Sequence, residues 1–234
     1  MNTAYYYPYW QMEHYWFLML TIATPALLVR FTQQWTEREK ERVAKFIALV
    51  LVFNWVVYQG YRIFNGYWEL RYDLPLELCN WAVFLTAAAL WYKRQRWAEL
   101  AFFWVMAGSV HGIITPDIHE PFPHLTYITF VVGHGGLVLG VFYAVFGLKL
   151  RPQKGAFFRA LLYSQLYLIV ALIFNWALGA NYGYLMQKPL GGSFLDLLHP
   201  WPYYLLELEV MGCISYGLLY LPFWWMQRNS RMLK

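Results

Sequence analysis

The chain has 234 residues, of which 60% are hydrophobic, 21% aromatic and only 13% charged. A soluble domain carries about 25% charged residues, so this composition excludes an ordinary soluble globule. The net charge of +5 comes from basic clusters flanking apolar segments, which suit anionic headgroups and give no reason to expect nucleic acid as a partner.

Apolar segments long enough to cross a bilayer are predicted at 13–31, 43–64, 75–92, 97–115, 125–148, 156–178 and 203–226. Each should be helical, because a spanning segment must satisfy its own backbone hydrogen bonds in lipid. Of the 18 Lys and Arg residues, 15 fall in four clusters on alternate connections. These run from Arg30 to Lys45, Lys93 to Arg96, Lys149 to Arg159 and Arg228 to Lys234. The positive-inside rule makes those connections cytoplasmic. The expected fold is therefore an all-α polytopic bundle of seven transmembrane helices, N-terminus out and C-terminus in, forming a single domain over 1–234. Its expected location is the plasma or inner membrane. The first residues, Met1-Asn2-Thr3-Ala4-Tyr5, lack a positive n-region, so the first apolar stretch reads as a span and not a cleaved signal. Aromatic residues crowd the predicted helix ends (Tyr5-Tyr6-Tyr7, Trp91-Tyr92, Trp201, Tyr203-Tyr204, Trp224-Trp225) as interfacial belts do.

Two connections on the predicted outer side are chemically rich. Residues 114–124 hold three prolines, two acids and two histidines, and 179–202 is rich in Gly, Pro, Asn and Tyr. Ionisable groups inside a bilayer are costly and need a partner or a purpose. Those groups are Arg62, Glu77, Cys79, His111, His134, Glu207 and Glu209, and all but His134 lie within about two turns of the outer face at 1.5 Å per residue. Cys79 sits about one turn into the third span, where the positive end of the helix favours a thiolate. An inert buried cysteine is the competing reading, and the better one for Cys213. His134 lies among three glycines, Gly133, Gly135 and Gly136, which let a helix or lipid chain approach closely. It suits a general base or an interhelical hydrogen bond. Counted from Pro75 and His124, Cys79 is about 6 Å deep and His134 about 15 Å, a gap that nearly closes if His124 to Tyr127 are interfacial. His111, Asp117, His119, Glu120 and His124 invite a metal reading. Their spacing matches no tight ligand motif, so no metal and no cofactor is expected. Asn175, Asn181, Tyr182 and Asp196 are suited either to orienting a base or to caps and turns.

Three motifs in order carry a family resemblance: Leu-Pro-Leu-x-Leu-Cys at Leu74 to Cys79; Pro116-Asp117 and Phe122-Pro123 leading to Gly133-His134-Gly135; and Asn181-Tyr182, Lys188-Pro189, Asp196 and Trp201-Pro202-Tyr203. Over essentially its whole length the chain resembles the bacterial YwaF-like integral membrane family, whose mammalian relative is transmembrane protein 164. More distantly it is similar to the androgen-induced hydrolases of fatty acid esters, which use a Thr nucleophile and a His. The resemblance implies a lipid acyltransferase or acyl hydrolase in which Cys79 is the nucleophile and His134 the base. Membrane phospholipids or lysophospholipids would be the substrates. His111, Asp117, Asn181, Tyr182 and Glu207 are candidates to shape the site or orient the imidazole. A small-molecule or lipid carrier and a zinc-dependent membrane hydrolase are the alternative readings.

Overall fold

The computed structural model describes residues 12–118, 120–189 and 193–232. His119 and the Tyr5-Tyr6-Tyr7 run lie outside the described residues. Among those described there is no strand, and seven helices carry the fold. They are α1 (Met12–Phe31), α2 (Glu37–Phe64), α3 (Leu78–Tyr92), α4 (Gln95–Ile114), α5 (Leu125–Gly147), α6 (Ala156–Leu178) and α7 (Tyr203–Met232). Six of them, all but α3, are long and apolar enough to cross a membrane. The chain is a multi-pass helical membrane protein. Helix α3 has 15 residues, about 22 Å of rise against a hydrocarbon core of about 30 Å.

The short helix is tolerated because protein surrounds it. α3 packs against α2, α4 and α5, with Ala82, Ala89 and Leu90 fully buried. α5 is the other central element, and its glycines bring neighbouring helices in. A Cβ at Gly133 would lie 3.1 Å from Asn54 Nδ2 of α2, one at Gly136 3.0 Å from Leu51 of the same helix, and one at Gly135 3.3 Å from Phe17 of α1. Asn54 also donates to the Thr129 carbonyl at 2.9 Å. The expected role of this glycine run as a close-approach surface is thus what the helices use.

Predicted and observed boundaries agree to within six residues, the widest gaps lying at the start of α2 and the end of α7, and two features of the helices have a clear physical origin. α2 begins at Glu37 because Thr36 and Glu39 form a capping box: Thr36 N–H donates to Glu39 Oε2 at 2.7 Å, and Glu39 N–H donates back to Thr36 Oγ1 at 3.3 Å. This is the Thr-x-x-Glu signature of a helix start. Second, α4 and α5 each contain a π-helical turn, at Val105–Ser109 and Tyr143–Gly147. Such turns re-aim side chains within a continuous helix.

The basic clusters meet at one end. Lys93 donates to Glu41 at 2.9 Å, Gln227 to the Pro152 carbonyl at 2.8 Å, and Gln95 to the Arg151 carbonyl. At their centre is Glu99, 2% exposed. Its carboxylate accepts from Arg159 Nη2 at 2.6 Å, Arg159 Nε at 3.2 Å and Gln153 N–H at 3.0 Å. Removing one member of a buried, hydrogen-bonded ion pair leaves an uncompensated charge at a cost of about 3 kcal/mol. Glu99→Ala should therefore lower the thermal unfolding temperature clearly in detergent, and Glu99→Gln, which keeps an acceptor, should lower it less.

Candidate functional site

At the opposite end of the bundle, irregular backbone lies over the helices and is held by side chains. Arg62 is not a stray charge in a span. It forms a two-pronged pair with Asp73, Nε to Oδ1 at 2.7 Å and Nη2 to Oδ2 at 2.9 Å. Asp73, 3% exposed, also accepts from Glu69 N–H at 2.8 Å. Asn175 faces Tyr182 with both ends of its amide, accepting from Tyr182 N–H at 2.7 Å and donating to the Tyr182 carbonyl at 2.9 Å. The Tyr182 hydroxyl donates to the Leu70 carbonyl at 2.7 Å and accepts from Leu74 N–H at 3.0 Å. One buried tyrosine thus joins the 65–77 segment to the 179–202 segment.

Glu77 completes that junction. It occupies the N-cap of α3 but makes no side-chain capping bond there. Its carboxylate reaches instead to Gly183 N–H at 2.8 Å. Gly183 has φ +67°, and a Cβ on it would lie 2.7 Å from the Tyr167 hydroxyl, which donates to the Leu76 carbonyl at 3.1 Å. The first turn of α3 is therefore left without a carboxylate cap next to Cys79, its second residue. Cys79 lies nearer the helix start than the sequence suggests, because Pro75 to Glu77 remain non-helical.

Cys79 is partly buried and reduced. Its thiol lies beside the Ser109 hydroxyl of α4. His134 faces the same helix one turn further on: a Cβ at Gly112 would lie 3.4 Å from His134 Nε2. Ser109 and Gly112 are separated by about 4.5 Å of helical rise. The depth gap inferred from sequence thus narrows, since His134 sits opposite a residue two positions from the end of α4. The His134 ring stacks on Phe130 with centroids 4.1 Å apart, and Nδ1 bonds the Phe130 carbonyl at 3.2 Å. A carbonyl only accepts, so Nδ1 carries the proton and Nε2 presents a lone pair toward α4. A third close approach occurs at Gly108, whose Cβ would come within 2.9 Å of Leu78.

The other expected site residues are placed around this seam in different roles. His111 packs against Phe194 in a tilted pair, centroids 4.6 Å apart. Asp117 accepts from the Tyr184 hydroxyl at 2.6 Å. Asn181 holds its own turn, accepting from Met186 N–H and Gln187 N–H at 2.9 and 3.0 Å. Glu207 takes His199 at 2.5 Å and Glu209 takes Gln165 at 2.5 Å. The backbone of Phe130 is what orients the imidazole, a partner that no side-chain pattern reveals. Burial, then the bond to Asp117, pushes the Tyr184 hydroxyl upward from the ordinary tyrosine range, so it stays a protonated donor through neutral and mildly alkaline pH. Tyr184 also accepts the Tyr204 hydroxyl on its carbonyl. Among the described residues no three His, Cys, Asp or Glu side chains converge as a metal site would require.

A helical membrane protein with a Cys and a His flanking one small-residue helix turn is what this arrangement defines. The chain belongs to the TMEM164 family, which it matches over residues 9–220. It is also similar to an uncharacterized protein of Treponema pallidum (strain Nichols), 29% identical over 153 residues, or 65% of this chain and 63% of that protein. The match thus spans less than two thirds of that relative. No solved structure matches.

The Glu77–Gly183 junction has a direct test. Gly183→Ala meets both a positive φ and the Tyr167 hydroxyl, which together cost on the order of 2 kcal/mol. Limited proteolysis of membranes should cut the 179–202 segment faster in this variant than in the parent. Gly60→Ala, which meets open space, should be cut at the parent rate.

Proposed function

We propose that the protein is a lipid acyltransferase or acyl hydrolase working through an acyl-thioester on Cys79, with His134 as base. The observation that carries this reading is the placement of Cys79 and the His134 Nε2 lone pair against one turn of α4, Ser109 to Gly112. Membership of the TMEM164 family and the Cys–His expectation from the YwaF-like resemblance support it.

In this reaction the Cys79 proton passes to His134 Nε2 as sulfur attacks the ester carbonyl. The carbon–oxygen bond to the glycerol backbone breaks, and the imidazolium returns the proton to the departing lysolipid. An acceptor alcohol, or water, then loses its proton to His134 while attacking the thioester; the carbon–sulfur bond breaks, and the imidazolium returns the proton to the Cys79 sulfur. Two easier steps replace one hard one. The Cys79 backbone N–H, in the first turn of α3, would meet the developing oxyanion. We place this site near the outer leaflet, within a seven-span, single-domain bundle of the plasma or inner membrane. In that orientation the basic end is cytoplasmic and phospholipids enter laterally from the outer leaflet. Helix α3 then serves as the seventh span.

Incubation with mixed bacterial phospholipids and subsequent intact-mass spectrometry test the reading. The parent should gain one fatty-acyl mass, removed by neutral hydroxylamine, and Cys79→Ala should gain none. Lysolipid release, read from the same samples, should fall to background in Cys79→Ala and by about 10²- to 10⁴-fold in His134→Gln. Activity that survives Cys79→Ala but is lost on treatment with a chelator would instead favour the zinc hydrolase. Neither adduct nor lysolipid from the parent would favour a carrier.

A further inference from the structure

Ser109 is fully buried, at 0% exposure, and its hydroxyl has no hydrogen-bond partner of normal geometry. A helical serine or threonine normally folds back onto a carbonyl one turn earlier. Thr32, Thr115 and Thr129 do so, bonding the carbonyls of Leu28, His111 and Leu125 at 2.9, 3.2 and 2.9 Å. Ser109 does not. It closes the π-helical turn, where the Val105 carbonyl is taken by Val110 N–H. The hydroxyl is left beside Cys79, across the seam where Gly108 meets Leu78 and Gly112 meets His134.

We infer that Ser109 is a positioning residue whose hydroxyl donates a hydrogen bond to the Cys79 sulfur, holding it in place and stabilising the thiolate when it forms. This rests on the reading of Cys79 as the nucleophile. Ser109 itself gains and loses no covalent bond: the thiol proton goes to His134, and the serine proton stays on oxygen throughout. The role accounts for two otherwise unrelated features. One is a buried hydroxyl that folding alone would favour removing, because an unpaired polar group is a net cost. The other is the π-turn it closes, a feature frequent at functional sites.

The test separates reactivity from stability. In a Cys213→Ser background, which removes the exposed thiol, Cys79 is the only cysteine. Its rate of reaction with N-ethylmaleimide at fixed pH is measured in phosphatidylcholine nanodiscs, together with the unfolding temperature. Ser109→Ala should slow the reaction by about tenfold, the size of one charge-assisted hydrogen bond, with the unfolding temperature unchanged or raised. Ser109→Thr, which restores the hydroxyl, should recover most of the rate. An unchanged rate in Ser109→Ala overturns the inference. So does a lowered unfolding temperature, because it means the hydroxyl serves the fold. The acyl-transfer reading fails separately: slowed maleimide reaction in Ser109→Ala with no acyl adduct on the parent removes that chemistry and keeps the serine–cysteine bond. An adduct on the parent with no Ser109 effect does the opposite.

Discussion

Everything at the polar end of this protein depends on one constraint: backbone that leaves helical geometry near a bilayer must find its hydrogen bonds in the protein. Tyr182 and Asn175 meet it for the two long connections at once. Asn175 supplies both an acceptor and a donor to Tyr182, and Tyr182 in turn closes two main-chain groups of the 65–77 segment. Asp73, held by Arg62, meets it for the turn at Glu69. With those groups satisfied, the chain can enter the bundle as loop and begin α3 late. That is why a 15-residue helix stands at the centre among longer ones.

The late start of α3 has a chemical consequence. A helix that begins inside a protein envelope brings its positive end to a place where lipid cannot mask it. The natural residue to neutralise that end is Glu77, at the N-cap, yet its carboxylate is committed to Gly183. The same carboxylate thus fastens the overlying loop, and the Leu78 N–H at the helix end is met by the Tyr167 hydroxyl instead.

Much of this was legible in the sequence, and the reasons differ by feature. Spans such as 156–178 read correctly because lipid imposes length and apolarity directly. The glycine run around His134 read correctly as a close-approach surface because small residues have few other uses there. The pairing of Arg62 with Asp73 did not, since Asp73 lies 11 residues away in an irregular segment with no periodicity to guide the reading. Asp117, Asn181 and Glu207 were candidates to orient the imidazole on residue type alone. The structure gives the orienting bond to the Phe130 carbonyl, and a main-chain acceptor leaves no trace in side-chain identity. Ser109 is not legible in the sequence for a related reason. Its hydroxyl is buried without a bond back to its own helix, at the end of a π-turn, and composition does not encode where such a turn falls.

The close contacts along α4 fit together as one register. Gly108 admits Leu78, Ser109 meets Cys79 and Gly112 admits the His134 ring. In a regular α-helix, positions 108 and 112 share a face, with 109 about 100° from the first. The π-turn at Val105–Ser109 adds a residue to the turn and rotates the C-terminal part of α4 relative to its N-terminal part. The start of α3 and the middle of α5 can then both pack onto one strip of α4. Side chains larger than Gly, Ser and Gly would push α3 and α5 apart, and with them the thiol and the imidazole. What sets the Cys79–His134 relationship is therefore the smallness of three residues on a third helix, and neither member of the pair controls it alone.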